Sequence, residues 1–244
     1  MIGYYSPSYK RPNDVHTHKW LDNVVYVVSY SESKSYANTH NNLWVVPDEA
    51  QGSVSRIRNY ILDNAIEDQI VMLDDDITHF ARWTKQKSEK LNGTQFNEFV
   101  EEGFILAEQM DVRLWGVNLL QDKGAYREYT PFSMTQCILG PFQAFNKLDL
   151  RYDENLPLKE DYDLSLQVLH KYHKTLRFNA YHYVAKQHTN TGGCADYRTM
   201  QREKEQFELL VRKWGSKIVQ QDPQAEKKGV YDINPIIKVP IKGV

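Results

Sequence analysis

The chain has 244 residues, of which 41% are hydrophobic and 25% charged. This balance is typical of a globular protein with a sizeable core, and it excludes disordered, collagen-like and repeat proteins. With 30 basic and 32 acidic residues, the formal net charge is −2, which does not indicate binding to nucleic acid over a wide surface. The 2 cysteines are too few for a disulfide framework or a four-cysteine zinc site.

The chain shows neither membrane-spanning nor secretory features. No apolar run approaches the roughly 20 residues that cross a bilayer. The N-terminal segment MIGYYSPSYKRP lacks the apolar stretch of a secretory signal. We therefore expect a soluble protein of a reducing compartment, the cytoplasm, with no membrane partner.

The first third of the chain alternates short apolar strands with a helix. Apolar and β-branched runs predict strands at residues 2–6, 24–29, 43–46 and 70–73. Between the last two, Val54, Ile57 and Ile61 recur at helical spacing. This order predicts an α/β fold with a Rossmann-type, mostly parallel sheet flanked by helices.

The rest of the chain adds helices, two strands and a tail. We predict helices at residues 96–110, 160–172 and 197–214, strands at 114–120 and 176–185, and an apolar, turn-broken segment at 135–145. Gly215 is placed to end the last helix. We expect one catalytic domain over residues 1–215 and an extended C-terminal arm, residues 216–244, that packs on it.

Three acidic residues follow a buried strand directly. The apolar run at 70–73 leads into Asp74, Asp75 and Asp76, at the strand end where open α/β sheets bind ligands. Alternation along extended chain puts Asp74 and Asp76 on one side. Two carboxylates there suit a hard divalent ion that takes phosphate oxygens and water as further ligands. A solvated acidic turn is the alternative.

Other candidate groups are weaker when taken singly. Glu160 and Asp161 begin a predicted helix, where favourable interaction with the helix dipole would explain them equally well. His188 follows a predicted strand and suits a metal or phosphate ligand, but also an ordinary surface histidine. Three residues of one predicted helix have two possible explanations, contact with a nucleotide or a solvated helix face: Arg56, Arg58 and Asn59.

Taken in order, these motifs resemble nucleotide-sugar-dependent glycosyltransferases of the GT-A fold. The order is a first strand ending in Ser8-Tyr9-Lys10-Arg11-Pro12, an Arg-Asn helix, Asp74-Asp75-Asp76, Gly140-Pro141-Phe142, Lys159-Glu160-Asp161-Tyr162-Asp163 and a late histidine. The chain is most similar to the TET/JBP-associated DNA-base glycosyltransferases, found largely in bacteriophages. The resemblance spans residues 2–193.

The resemblance implies roles for individual residues. Asp74 and Asp76 match the metal-binding Asp-x-Asp that holds Mn²⁺ or Mg²⁺ on the donor diphosphate, and His188 resembles a late metal or diphosphate ligand. The positions expected to line the nucleotide are Ser8, Lys10, Arg11, Arg56, Asn59 and Asp75.

The family resemblance also implies candidates for the acid that acts as general base. Asp161 matches the base of many inverting members, with Glu160 as the fallback. Asp163 is a third acid that departs from the family pattern, so which carboxylate faces the acceptor stays open.

The implied activity is metal-dependent transfer of a sugar from a nucleotide-sugar, a UDP-sugar, to a hydroxyl group. The implied acceptor is a 5-hydroxymethylated pyrimidine in DNA such as hydroxymethylcytosine, and direct attack would invert the anomeric centre, although retention is open. The alternatives are a glycan or protein acceptor, a metal-dependent phosphoesterase or nuclease, and a non-catalytic nucleotide- or DNA-binding module. A phage-encoded enzyme would work in the host cytoplasm.

A DNA acceptor would need local basic or aromatic surface despite the net charge. Basic clusters occur at residues 85–90, 170–177 and 227–228. Tyrosines that could stack on bases are Tyr126, Tyr129, Tyr181 and Tyr183. Solvated surface and structural packing are the simpler explanations for both sets.

Overall fold

The computed structural model describes residues 1–85, 87–119, 126–186, 198–221 and 234–239. Its strands are β1 (Ile2–Pro7), β2 (Val25–Ser29), β3 (Leu43–Val46), β4 (Gln69–Leu73), β5 (Ile77–Trp83), β6 (Ser88–Leu91), β7 (Leu114–Asn118), β8 (Phe132–Ser133), β9 (Phe142–Asn146), β10 (Leu176–Ala185), β11 (Val219–Gln220) and β12 (Ile236–Ile237). Its α-helices are α1 (Ser33–Ala37), α2 (Val54–Asn64), α3 (Gly93–Gln109), α4 (Glu160–Tyr172) and α5 (Met200–Trp214).

Ten strands form one sheet, in the order β3-β2-β1-β4-β9-β7-β10-β5-β6, with β8 paired to β10. In the described part of the chain, β1 to β4, β6, β7 and β10 point one way, and β5, β8 and β9 point the other. The predicted α/β fold with a mostly parallel sheet is confirmed. The sequence pattern predicts no strand at β5, β6 or β8, and β9 falls within the segment predicted to be apolar and turn-broken.

Helices cover both faces of the sheet, so strand residues alternate between two apolar cores. Tyr4 and Val71 pack on one face with α3, whereas Tyr5, Ile70 and Met72 pack on the other with α2 and α4. This double coverage explains why the strands read as continuous apolar runs rather than as alternating ones.

The carboxyl end of β4 is held by the turn that enters β9. The backbone N–H of Asp74 donates to the carbonyl of Pro141 over 3.0 Å, and β4 and β9 pair antiparallel from Leu73 to Gln69. The end of β1 lies beside β4, because these strands are parallel neighbours. The helix α4 begins close by, since Asp161 accepts a hydrogen bond from the backbone of Gly140. The two strand ends, this turn and the start of α4 frame a single region.

The C-terminal helix α5 is fastened to the start of α4 by buried polar contacts. Lys159 and Glu203 form an ion pair of 2.5 Å with both side chains buried. Asp163 accepts from the indole of Trp214 over 2.8 Å and pairs with Lys213 over 2.9 Å.

Beyond α5, the described tail residues contribute one small sheet. Strands β11 and β12 pair with each other, and Val219 is buried in an apolar cluster with residues of α4 and α5. Most of the predicted arm lies outside the described residues, so the division at residue 215 stays a prediction. Among the helices that the structure describes, none is both long and apolar enough to span a membrane.

Candidate active site

One arginine joins the acidic strand end to the start of α4. Arg58 donates to Asp74 Oδ1 over 3.0 Å and to Glu160 Oε1 over 3.1 Å. Its side chain is 5% exposed, against 34% for that of Asp74. Arg58 projects from α2, whose start is capped by the side chain of Ser53. The guanidinium therefore sets the distance between two groups that the sequence analysis treated separately.

Two side chains of α2, Arg56 and Asn59, are the expected nucleotide contacts on this helix. For Arg58, the sequence leaves a nucleotide contact and a solvated helix face equally open. Arg56 pairs with Glu154 at the surface, and both side chains are close to half exposed. Asn59 exchanges hydrogen bonds with the backbone of Tyr152, over 3.0 and 2.8 Å. Both side chains are therefore used to hold the neighbouring loop, and neither meets the acidic strand end. The sequence did contain a signal that Arg58 is buried. It lies three residues before Ile61 and four after Val54, which places it within the apolar face of α2.

Asp75 points away from its two neighbours and is fully buried. It accepts hydrogen bonds from the hydroxyl of Ser8 and from the guanidinium of Arg11, whose Nε lies 2.9 Å from Oδ2. Burial raises the pKa of Asp75 to about 6, and the charge of Arg11 opposes that rise. With no exposed surface, Asp75 cannot touch a nucleotide. Its expected contact role is corrected to that of an anchor for the loop after β1.

The loop after β1 presents three residues expected to contact the nucleotide. Ser8 is buried and its hydroxyl is also 2.7 Å from that of Tyr36, so it belongs to the anchor. The Arg11 side chain is 16% exposed. Lys10 is exposed, and its backbone N–H donates to Glu32 over 2.8 Å. Arg11 and Lys10 are thus the two that offer surface to a ligand.

Asp76 has the chemistry of a cation ligand. Its Oδ1 atom is buried and has no hydrogen-bond partner in the described part of the chain. Burial, followed by the charges of Asp74 and Asp75, raises the pKa of Asp76 to about 7. A divalent cation would relieve both the repulsion and the unmet acceptor. The donor set of Asp74 and Asp76 therefore fits a magnesium- or manganese-type ion that completes its shell with phosphate and water.

The third expected ligand, His188, lies outside the described residues. Within the described ranges, no three histidine, cysteine or acidic side chains are grouped so that they could hold a metal ion by themselves. Lys186, the last described residue before the gap that contains His188, donates its backbone N–H to the carbonyl of Asp76 over 3.1 Å.

The two acids at the start of α4 have different surroundings. Glu160 is buried, and burial together with the charge of Asp161 raises its pKa to about 8, although Arg58 opposes the shift. Asp161 is partly exposed and accepts backbone N–H bonds from Gly140 over 2.9 Å and from Tyr162 over 2.8 Å. Burial raises its pKa as well, and these two N–H donors and Arg58 oppose the rise.

Asp163, the third acid near this helix start, is not available for chemistry. Its carboxylate is fully buried, and it is bound by Gln167 as well as by Trp214 and Lys213 of the C-terminal region. The uncertainty over three acids therefore reduces to Glu160 and Asp161.

The tyrosines and basic clusters differ in exposure. The ring of Tyr181 stacks on Phe99 at 3.9 Å and Tyr183 is 5% exposed, so neither ring is free to stack on a base. Tyr129 is 82% exposed. In the cluster at 170–177, Lys171 pairs with an aspartate and so does Lys174. The pair at 227–228 lies outside the described residues.

The site can now be compared with known proteins. A family model described as TET-Associated Glycosyltransferase matches residues 3–193. The chain belongs to the TET-associated glycosyltransferase family. The predicted family is therefore confirmed, and with it glycosyl transfer as the class of activity. No curated protein sequence matches the chain.

Solved structures show the same architecture at low sequence identity. A mycobacterial protein of known crystal structure aligns with a TM-score of 0.53 and 12% identity, over 97% of this chain and 83% of that one. The crystal structure of S. aureus TarS, residues 1–349, aligns with a TM-score of 0.46 and 13% identity. That alignment covers 74% of this chain, which spans 59% of the TarS fragment. The first of these likenesses supports the α/β fold of this TET-associated glycosyltransferase.

Proposed function

We propose that this glycosyltransferase transfers a sugar from a nucleotide-sugar, with UDP as the nucleotide, to the hydroxyl of a 5-hydroxymethylated pyrimidine in DNA, with inversion. The observation that carries the proposal is the bridge from Asp74 through Arg58 to Glu160 and its neighbour Asp161. Through this bridge, the acids proposed to hold the donor diphosphate lie in one region with the acid proposed as the general base. Membership of the TET-associated family supports the choice of acceptor.

The donor diphosphate is assigned to the ends of β1 and β4. Asp74 and Asp76 would hold Mn²⁺ or Mg²⁺, and a bound cation would neutralise the charge that grows on the departing diphosphate. Arg11 supplies positive charge beside these acids, and Asp75 keeps it in place through its buried carboxylate. Lys10 adds an exposed positive charge on the same loop.

Asp161 is assigned as the general base. The residue is partly exposed, and both carboxylate oxygens keep a free lone pair after accepting one backbone N–H each. It would take the proton of the acceptor hydroxyl as that oxygen attacks the anomeric carbon. The bond from this carbon to the diphosphate oxygen then breaks, and the two electrons leave with the nucleoside diphosphate. Attack from the face opposite the leaving group inverts the configuration.

The test offers the protein a panel of UDP-sugars together with DNA that contains hydroxymethylcytosine, hydroxymethyluracil or neither. Digestion to nucleosides and mass spectrometry then report the transferred sugar. We expect a glycosylated nucleoside in the presence of Mn²⁺ and its loss with EDTA or in Asp76→Ala. Transfer to a glycan or protein but to no DNA would overturn the acceptor, and activity indifferent to EDTA would overturn the metal requirement.

The same mixtures separate the alternative activities. A metal-dependent nuclease would cut the DNA when no sugar donor is present. A non-catalytic module would bind UDP with Mn²⁺ yet release no nucleoside diphosphate from any donor. Either result would replace glycosyl transfer as the proposed function.

A further inference from the structure

Tyr183 brings a phenolic hydroxyl to the floor of the candidate active site. The residue lies on β10, and its ring belongs to the apolar cluster that contains Phe80 and Phe142. The side chain is almost entirely buried, so the ring is held from all sides. Its oxygen emerges at the turn before β9, which is the turn that binds Asp161.

The Tyr183 hydroxyl lies close to the glycine of that turn, Gly140. A methyl group placed on Gly140 would lie 2.9 Å from the Tyr183 oxygen, and Gly140 has a φ of +72°. The N–H of the same glycine donates to Asp161 Oδ2 over 2.9 Å. A side chain at position 140 would therefore be strained and would meet the Tyr183 hydroxyl. Glycine there leaves room for the hydroxyl to reach the turn.

The Tyr183 hydroxyl forms no hydrogen bond with another described residue, and it is not among the fully buried polar atoms that lack a partner, so its oxygen keeps some open surface at the turn. Burial, and then the charges of Asp74, Asp161 and Asp76, raise the pKa of Tyr183 well above its ordinary value. The group therefore stays protonated and remains a hydrogen-bond donor. Bound donor substrate would supply the missing acceptor.

We propose that the Tyr183 hydroxyl is a catalytic group that donates a hydrogen bond to an oxygen of the sugar-bearing phosphate of the nucleotide-sugar. This inference rests on the proposed function. The hydroxyl lies at the turn that binds the base, and the charges of Asp74 and Asp76 also act on it, so it is near the place where the bond from sugar to diphosphate would break. Negative charge grows on the phosphate oxygen as that bond lengthens, so a donor fixed there stabilises the transition state more than the bound substrate.

The test compares Tyr183→Phe with wild type and with Tyr181→Phe. Phenylalanine keeps the buried ring and removes the hydroxyl, and Tyr181 lies two residues away on the same strand with its ring stacked on Phe99. With the UDP-sugar that the wild-type enzyme turns over, release of UDP should give a kcat lowered about 10- to 100-fold in Tyr183→Phe. The KM for the donor should change less than about threefold, because the interaction strengthens in the transition state. Tyr181→Phe should match wild type.

The outcomes separate the two proposals. If wild type turns over a UDP-sugar and Tyr183→Phe has the same kcat, the role of the hydroxyl is wrong and the proposed function stands. If wild type releases UDP from no donor, the proposed function itself fails, and this inference with it. Thermal unfolding of each variant shows that the fold is intact. If Tyr183→Phe does not fold, Tyr183→Met, which also lacks a hydroxyl, must show the same loss of kcat, and an unchanged kcat there overturns the role.

Discussion

At the scale of single residues, the charge of Arg58 bears on which of the neighbouring acids are protonated. One guanidinium contacts Asp74 and Glu160 and also lies near Asp161, so one positive charge serves three carboxyl groups. Glu160 is the buried member, and its pKa is raised to about 8, so it retains a proton near neutral pH. Asp161 is also raised in pKa by burial, but two backbone N–H donors and Arg58 favour its ionised form, which is the form that base chemistry needs.

Replacement of Asp161 by asparagine tests this division directly. Asparagine keeps the shape of the side chain and removes its basicity, so we expect kcat to fall about 10²- to 10⁴-fold. Binding of UDP with Mn²⁺, measured by calorimetry, should change little, because the base contacts the acceptor side. A near-normal kcat in Asp161→Asn would move the role to Glu160.

Replacement of Glu160 by glutamine should change how stability depends on pH. The ordinary glutamate pKa of 4.5 applies to the unfolded chain and about 8 to the folded one. Between these values the folded state holds a proton that the unfolded state releases, so wild type loses stability as pH rises through this window. Glutamine is neutral throughout. We expect Glu160→Gln to equal wild type near pH 4 and to be more stable by roughly 1–3 kcal/mol near pH 9.

Urea unfolding at several pH values measures this difference. Glu89→Gln, which changes a partly exposed glutamate on β6, is the control and should follow wild type across the range. The explanation is wrong if wild type gains stability relative to Glu160→Gln as pH rises, since that would mean that Arg58 keeps Glu160 ionised in the folded state.

At the scale of elements, α5 holds the start of α4 from two sides. Lys159 precedes the two site acids and pairs with Glu203, while Asp163 follows them and is bound by Trp214 and Lys213. In each attachment the acid is buried. The turn that carries Glu160 and Asp161 is thereby fixed by a helix that lies outside the region matched by the family model, which ends at residue 193.

Removing one partner of the Lys159–Glu203 ion pair should lower the unfolding free energy far more than replacing both partners. Glu203→Gln leaves the buried ammonium of Lys159 without its charged partner, and we expect a loss of about 3–5 kcal/mol of unfolding free energy. The double variant Lys159→Met, Glu203→Leu removes both charges and should recover most of that loss. Urea unfolding at neutral pH gives both values. Glu205→Gln, an exposed change on the same helix, should have little effect, and equal destabilisation by the single and double variants would contradict the explanation.

The sequence predicted the elements whose information is local. The junction of β4 with Asp74 was clear because an apolar run ends abruptly in acids, and the start of α4 was clear because acids favour a helix N-terminus. The strand β9 was missed because Gly140 and Pro141 interrupt the pattern that precedes it. The roles of Arg58 and Asp163 were missed for another reason: each is set by a partner distant in the chain, and local periodicity does not show which side chains such a partner meets.

At the scale of the whole molecule, charge is unevenly distributed although the net charge is only −2. Within the described residues, the hairpin of β5 and β6 carries four basic side chains against one acid: Arg82, Lys85, Lys87, Lys90 and Glu89. The cluster at 170–177 is balanced by Asp149 and Asp111. Its members at the end of α4, His170 and Lys171, also lie far from the acids, because the 13 residues of α4 span about 20 Å.

The β5–β6 hairpin is therefore the described surface best suited to a phosphate backbone. It forms the edge of the sheet, and β5 begins directly after Asp76. A β-ribbon can enter the major groove, where the 5-hydroxymethyl group of a pyrimidine lies. Exposed Tyr129 is close by in the structure, since Lys85 pairs with the neighbouring Glu128.

Charge reversal on this hairpin tests whether it contacts DNA. In Lys87→Glu, Lys90→Glu, the KM for modified DNA should rise at least tenfold at low salt, while hydrolysis of the nucleotide-sugar without DNA stays at the wild-type rate. The dependence of log KM on log salt should also become shallower by about one to two units, because each lost phosphate contact releases about one counterion fewer. Lys34→Glu with Lys147→Glu, the same change in charge on other elements, controls for net charge. An equal rise in KM from both pairs would mean that overall charge, and not this hairpin, governs the approach of DNA.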